Sequence, residues 1–306
     1  CSSSLLFFAS FNTIIPELPA YLTGLGGGEY KGLIISLFTL TALISRPFSG
    51  ALADKVGRIP VMVIGALVCV ICSFLYPVLS SVSAFFFLRL LHGFSTGFTP
   101  TGQAAYLSDL VPPQKRGEAM GIIGTANSMG TAAGPAFGAF LANRYSLASM
   151  FYWSAFLAFA SIAILWGIRE TLPVKKKFSS SMLKIKWQDM LEPRVIVPCV
   201  VMMLTAYAYG VLYTLLPDLS DYLGVKNKGL TFTVLTVSSL SVRLIAGKAS
   251  DRFGRKAVLK ISSVLIATGV FMMGFSTSPL WLFTGISIYG IAHGMTSPTL
   301  LAWATD

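Results

Sequence analysis

Apolar residues run along the chain in blocks of about 20, broken by short clusters of Gly, Pro, Ser and charge. A block of that length is what a helix needs to cross the hydrocarbon core of a bilayer. On this ruler the sequence predicts ten membrane-spanning helices, near 3–22, 32–53, 60–79, 83–108, 118–141, 147–168, 195–217, 229–249, 257–276 and 280–304. Turn-forming residues separate them, among them Gly26 to Gly28, Pro112-Pro113 and Ser278-Pro279. The two-residue alternation of a membrane β-barrel is absent, and the runs are too long for strands. The pattern therefore predicts an all-α membrane bundle.

Composition removes the soluble alternatives. Of 306 residues, 54% are hydrophobic and 11% charged, against about 25% charged in soluble domains. The net charge of +11 would suggest nucleic acid in a soluble protein; in a membrane protein, excess Lys and Arg marks the cytoplasmic side. With the N-terminus in the cytoplasm, 16 of the 23 basic residues fall on that side and only Lys31, Arg144, Lys226 and Lys228 fall outside, while Arg46, Arg89 and Arg243 lie within spans. The expectation is a multi-pass protein of the plasma (inner) membrane with a cytoplasmic N-terminus and no nucleic-acid partner. Cys69-x-x-Cys72 imitates a metal or redox motif, but it sits in the apolar run Val61 to Leu75 and reads as packing. No metal or cofactor is expected.

The longest polar stretch, Arg169 to Pro193, divides the chain into a half at 1–168, a linker at 169–193 and a second half at 194–306. The linker reads equally as a solvated tether or, around Met182 to Trp187, as a short interfacial helix. The halves repeat. A shift of 197 residues lays Arg46, Gly50, Asp54, Gly57 and Arg58 on Arg243, Gly247, Asp251, Gly254 and Arg255. The same shift lays Gly93, Gly97, Thr99 and Asp109 on Gly290, Gly294, Thr296 and Asp306.

Gly50 to Arg58 (GALADKVGR) resembles the signature loop of the major facilitator superfamily, and Gly247 to Lys256 (GKASDRFGRK) resembles its second-half copy. The first copy departs from the pattern at Ile59 and the second at Ala249. The resemblance implies two pseudo-symmetric six-helix halves, twelve helices in all. This sequence supplies six and then four, so an eleventh and a twelfth helix are expected beyond its closing residue, and the true N-terminus before its first. The resemblance also implies that the first loop locks the cytoplasmic side in the outward-facing state. Each intramembrane Arg precedes its Asp by eight residues, about two turns, and so shares its face.

Ala126, Gly130, Gly134, Gly138 and Ala142 make a stripe of small residues, sufficient on its own for close helix packing. Gly121, Gly130, Gly134, Pro135 and Gly138 together resemble the antiporter motif of proton-coupled exporters, with Ala139 in place of a last Gly. Arg89, inside the fourth span, needs a partner or must snorkel outward. Arg89-x-x-His92-Gly93 resembles the family motif tied to proton transfer, with His92 where Gln is commoner. Glu17 lies at comparable depth and reads either as the partner of Arg89 or as an interfacial carboxylate. By resemblance the cavity candidates are Asn12, Gln103, Asn127, Tyr207, Tyr209, Tyr213, His293 and Thr296.

These residues predict a secondary transporter that exports small organic molecules in exchange for protons by alternating access, acting as a monomer. A sugar or nutrient symporter on the same fold is the alternative, and a non-transporting membrane sensor is a further one. No nucleophile–base pair, metal-ligand spacing or phosphate loop points to an enzyme, and no ATP-binding segment appears.

Overall fold

The computed structural model describes residues 1–112, 116–176, 178–183 and 195–305. Its helices are α1 (Ser2–Thr13), α2 (Leu18–Gly24), α3 (Leu33–Lys55), α4 (Arg58–Leu75), α5 (Val82–Leu110), α6 (Arg116–Arg144), α7 (Leu147–Trp166), α8 (Ile196–Tyr222), α9 (Gly229–Phe253), α10 (Arg255–Gly274) and α11 (Pro279–Thr305). No strand occurs among the described residues. Backbone groups in the body of a helix are bonded within it, which is what the hydrocarbon solvent requires.

The first predicted span is one rod in two pieces. A 3₁₀ turn, Ile15–Glu17, joins α1 to α2, because Pro16 and Pro19 each withhold a backbone N–H from the ladder. Six stretches of the described chain are long and apolar enough to cross a membrane by length and composition: Ser2–Gly24, Leu33–Lys55, Arg58–Val78, Leu147–Trp166, Ile196–Tyr222 and Arg255–Gly274. The four other predicted spans form α5, α6, α9 and α11, of sufficient length but more polar. Arg89 and His92 dilute α5; glycine, serine and threonine dilute α6 and α9. Large apolar side chains such as Leu43, Phe74, Phe159, Trp166 and Met203 stay exposed on outer faces, a surface suited to lipid.

Contacts divide the chain into two compact units, Cys1–Asp189 and Met190–Asp306. In the first, α1 lies against α6 and α7, α3 against α5, and α4 against α5 and α7. The α1–α6 contact is made at the backbone. A Cβ on Gly130 would stand 2.4 Å from the Leu5 carbonyl oxygen, one on Gly134 2.6 Å from that of Ala9, and one on Gly138 1.8 Å from that of Thr13. Across the opposite face of α1, Ser10 Oγ donates to the Ser154 carbonyl at 2.7 Å and Ser161 Oγ to the Ser3 carbonyl at 2.9 Å. These serines stand seven residues apart on each helix, so they form a two-rung ladder between α1 and α7. Ile14, Leu18, Leu22, Ile34, Tyr76, Phe85 and Phe151 fill the core beside it.

The second unit repeats the device. Gly93 of α5 meets the Phe38 carbonyl oxygen of α3, and its repeat partner Gly290 of α11 meets that of Leu235 in α9. Gly97 and Gly294 do likewise against Ala42 and Ser239.

The stretch after α7 is not a free tether where it is described. Lys176 N–H donates to the Lys55 carbonyl at 2.8 Å, and Ser180–Leu183 forms a 3₁₀ turn whose Leu183 packs on Leu52, Ala53 and Val61. The interfacial helix expected near Met182 to Trp187 falls, from residue 184 onward, outside the described residues.

One expected outcome separates contact from mere helix content. Gly138→Ala should lower the thermal midpoint of the detergent-solubilised protein, because forced overpacking costs roughly 1–3 kcal/mol of stability. Gly121→Ala, where a Cβ would meet nothing within 4 Å, should leave it unchanged or raised.

Candidate functional site

The α3–α4 loop turns on Gly57, whose φ of 144° disfavours any side chain and whose Cβ would lie 2.5 Å from Glu170 Oε2. The turn delivers Arg58 into a cluster of acids. Arg58 Nη1 donates to Asp54 Oδ1 at 2.5 Å and Nε donates to Asp109 Oδ2 at 3.0 Å. Asp109 Oδ2 also accepts from Thr171 Oγ1 at 2.7 Å. Glu170 accepts from the backbone N–H groups of Arg58 and Ile59 at 3.0 and 3.1 Å, so it caps α4 from 112 residues away. Four elements thus meet: the end of α3, the start of α4, the end of α5 and the segment after α7.

Arg46 does not join them. It is exposed on α3, and no ion pair links it to Asp54 among the described residues. The face is shared, as expected, but two turns separate the pair by about 12 Å along the axis, too far for contact. A Cβ on Gly50 would meet nothing within 4 Å. In the second copy Gly254 turns the chain with φ 89°, and Arg255 Nη1 donates to Ser250 Oγ at 2.9 Å. Gly247 and Asp251 sit in α9, and Arg243 is half-buried there. The side-chain surroundings of Asp251, and Asp306 altogether, lie outside the described residues.

Arg89 is 2% exposed and does not snorkel. Its Nε donates to the Ile34 carbonyl at 2.9 Å, Nη1 donates to Tyr76 Oη at 3.4 Å, and the guanidinium lies 4.5 Å from the Phe38 ring centroid. Glu17 is buried in the 3₁₀ break of the first span, with Ile14 and Leu18 of the apolar core on either side of the turn. His92 is fully buried between Tyr76 and Cys69. Cys69 therefore touches an imidazole through the fold, although no histidine neighbours it in the sequence.

Of the antiporter-like residues, Gly130, Gly134 and Gly138 form the α1 contact, Pro135 lies inside α6, and Gly121 stands clear of it. Among the cavity candidates, Ser4 Oγ reaches Gln103 Oε1 at 2.7 Å and also Asn127 Oδ1, and Asn12 Nδ2 donates to the Phe8 carbonyl at 2.7 Å and to Thr131 Oγ1 at 3.4 Å. These amides make a polar strip along α1, α5 and α6. In the second unit Tyr209 stacks on His293 at 4.6 Å between ring centroids, and Tyr213 lies 4.4 Å from Tyr209 and 4.8 Å from Phe232. Tyr207 is not part of this group. Two residues from Tyr209, it points to the opposite side of α8 and is 75% exposed. Thr296 bonds to Ser262 Oγ at 2.9 Å and ties α11 to α10. Tyr76, Glu170 and Tyr289 are residues that the sequence reading missed, and Asp109 stood there only as a member of the repeat. Tyr289 precedes His293 by one turn, a spacing that could have revealed it; nothing local betrays Glu170.

Glu170 gives the loop a pH dependence. Partial burial alone would raise its pKa, but backbone N–H bonds from Arg58, Leu172, Ile59 and Thr171 outweigh it and hold the carboxyl below its ordinary 4.5. A depressed carboxylate contributes stability that is present above its unfolded pKa and is lost as pH falls through the folded one. Protection of the Arg58 and Ile59 amides against hydrogen exchange should therefore persist at neutral pH and decline below about pH 4.5. Glu170→Ala should remove it at every pH and cost the loop about 1 kcal/mol, as loss of a cap does.

The whole chain, residues 1–306, matches the Major Facilitator Superfamily. It is 28% identical to the "Multi-drug resistance efflux pump PmrA" of Streptococcus pneumoniae over 95% of this chain and 75% of that protein. It is 29% identical to the "Multidrug resistance protein MdtG" of Salmonella typhi over 95% of this chain and 76% of that one. Among solved structures, the xylose transporter XylE from E. coli superposes with a TM-score of 0.78 at 14% identity, over 99% of this chain and 84% of that one, a likeness of fold. With the repeated loop, the glycine-packed helices and the all-helical bundle in place, the chain belongs to the Major Facilitator Superfamily, and it is a multi-pass membrane transporter of small molecules.

Proposed function

We propose that this transporter exports small organic molecules in exchange for protons, its two repeat-related halves alternating access to a midplane site. The observation that carries the reading is the α1–α6 contact. Gly130, Gly134 and Gly138, the body of the antiporter-like stripe, lie at backbone distance from α1, so any change in α1 is felt directly by α6. Curated relatives that share 28–29% identity bear multidrug efflux names, which supports export over the sugar symporter.

Within this reading, Arg89 and the buried Glu17 couple transport to protons. In each half taken by itself, the amides along α1, α5 and α6 and the Tyr209–Tyr213–His293 group are the candidate substrate contacts. Such a lining of aromatics and amides suits neutral, amphipathic or weakly cationic molecules. The Asp54–Arg58–Asp109 cluster, with Glu170, gates one side. The organisation into halves at 1–168 and 194–306 around the linker 169–193, the plasma (inner) membrane location, the cytoplasmic N-terminus and a monomeric state belong to the same reading. The sixteen-to-four bias of basic residues supports the orientation.

The experiment is proton movement in inside-out vesicles that carry an imposed gradient and a pH-sensitive dye. Lipophilic cations or antibiotics should collapse the gradient, and Arg89→Ala should abolish the response. Sugar-driven proton entry in right-side-out vesicles, with no response to any exporter substrate, would establish the symporter instead.

A further inference from the structure

The polar side chains buried beside Arg89 form a continuous line through the first unit. Arg89 Nη1 donates to Tyr76 Oη at 3.4 Å, and Tyr76 Oη faces His92 Nδ1 at 3.4 Å. His92 Nε2 faces Cys69 Sγ at 3.2 Å, Cys69 Sγ faces Ser10 Oγ at 3.3 Å, and Ser10 Oγ donates to the Ser154 carbonyl at 2.7 Å. Tyr76, His92, Cys69, Ser10 and Ser154 are all fully buried, and they come from α1, α4, α5, α7 and the turn that follows α4.

The direction of every bond is set from both ends. A guanidinium only donates, so Tyr76 Oη accepts there and its single hydrogen is left for His92 Nδ1. A carbonyl only accepts, so the hydroxyl hydrogen of Ser10 is committed to Ser154, and the Cys69 thiol donates to a serine oxygen, that of Ser10 or of the neighbouring Ser73. Cys69 Sγ is then the acceptor for His92, which must donate from Nε2. The two ends assign the same neutral tautomer, with the proton on Nε2.

From this geometry we propose that Tyr76 and His92 are positioning residues for Arg89. They are links in a one-way donor chain that fixes the guanidinium against the Ile34 carbonyl, and His92 serves as the neutral Nε2–H tautomer. The groups facing its ring are Arg89 from α5, Cys69 from α4, Tyr76 from the following turn and the edge-on Phe38 ring of α3, 5.6 Å away. An imidazolium would have to donate from Nδ1 to the phenol oxygen that already accepts from Arg89, setting two cations on one oxygen. His92 therefore orients the coupling arginine and is not the proton carrier. The effect on transport rests on the proton-coupled reading above; the tautomer does not.

The test uses the whole protein in lipid nanodiscs with ¹⁵N-labelled histidine, the His92 signal being the one that His92→Gln removes. At about pH 7.5, above the ordinary histidine range, the Nε2–H tautomer is expected. An Nδ1–H tautomer or an imidazolium overturns the chain, whatever transport does. Tyr76→Phe keeps the ring stacked on Phe151 and removes only the oxygen. It should shift His92 toward a mixture of tautomers and reduce substrate-driven proton movement about 10-fold, the loss expected of one hydrogen bond to a charged group. His92→Phe should lose as much, while His92→Gln, whose amide can accept at one end and donate at the other, should recover most of it. Unchanged tautomer and unchanged coupling in Tyr76→Phe overturn the proposal. If the parent protein moves no protons with substrate, the coupling reading fails by itself, and the tautomer in the parent and in Tyr76→Phe still decides the donor chain.

Discussion

Close approach of one helix backbone to another is the contact on which this structure depends. In hydrocarbon, helices gain little by hiding apolar side chains from one another, because lipid is as apolar as leucine. What remains is dispersion at short range and hydrogen bonding, and both need backbones within touching distance. Gly130, Gly134 and Gly138 supply that distance between α1 and α6, Gly93 and Gly97 between α3 and α5, and Gly290 and Gly294 between α9 and α11. In each case the paired helices run parallel, with one span between α3 and α5 and between α9 and α11 in the chain, and three between α1 and α6. The glycines thus join spans that chain order alone would not bring together.

That packing makes room for polar groups which would otherwise be costly. With α1 seated against α6 on one side, its other face meets α7 through the Ser3–Ser161 and Ser10–Ser154 rungs. Ser10 also closes the line of donors that reaches Arg89 through Cys69, His92 and Tyr76. A cation in the membrane interior is tolerated here because a carbonyl, a phenol and an aromatic face lie against it. The first span's 3₁₀ break and the buried arginine share one core through Ile14, Leu18, Ile34 and Tyr76.

At the α3–α4 loop the same economy applies to charge. Arg58 is held by Asp54 across the Gly57 turn and by Asp109 from the end of α5. The Glu170 carboxylate supplies what the N-terminus of α4 lacks in its own sequence, since Gly57 has no side chain to cap with. The segment after α7 is bound to this loop by Glu170, Thr171 and Lys176, so movement of the loop and movement of that segment are linked.

Local chemistry determined much of this before folding. The 20-residue apolar blocks set the helices, the bias of Lys and Arg set an expected orientation, and the 197-residue repeat set two related halves, because each signal is carried along the chain by residue type alone. The small-residue stripes and the turn at Gly57 were legible for the same reason. The tertiary structure decided the partners. Arg89 met Ile34, Tyr76 and Phe38, Arg46 stayed outside its cluster, and Glu170 capped a helix 112 residues away. Spacing along a helix tells which face a side chain occupies, but which residue waits opposite depends on how separate helices approach, and no local pattern encodes that.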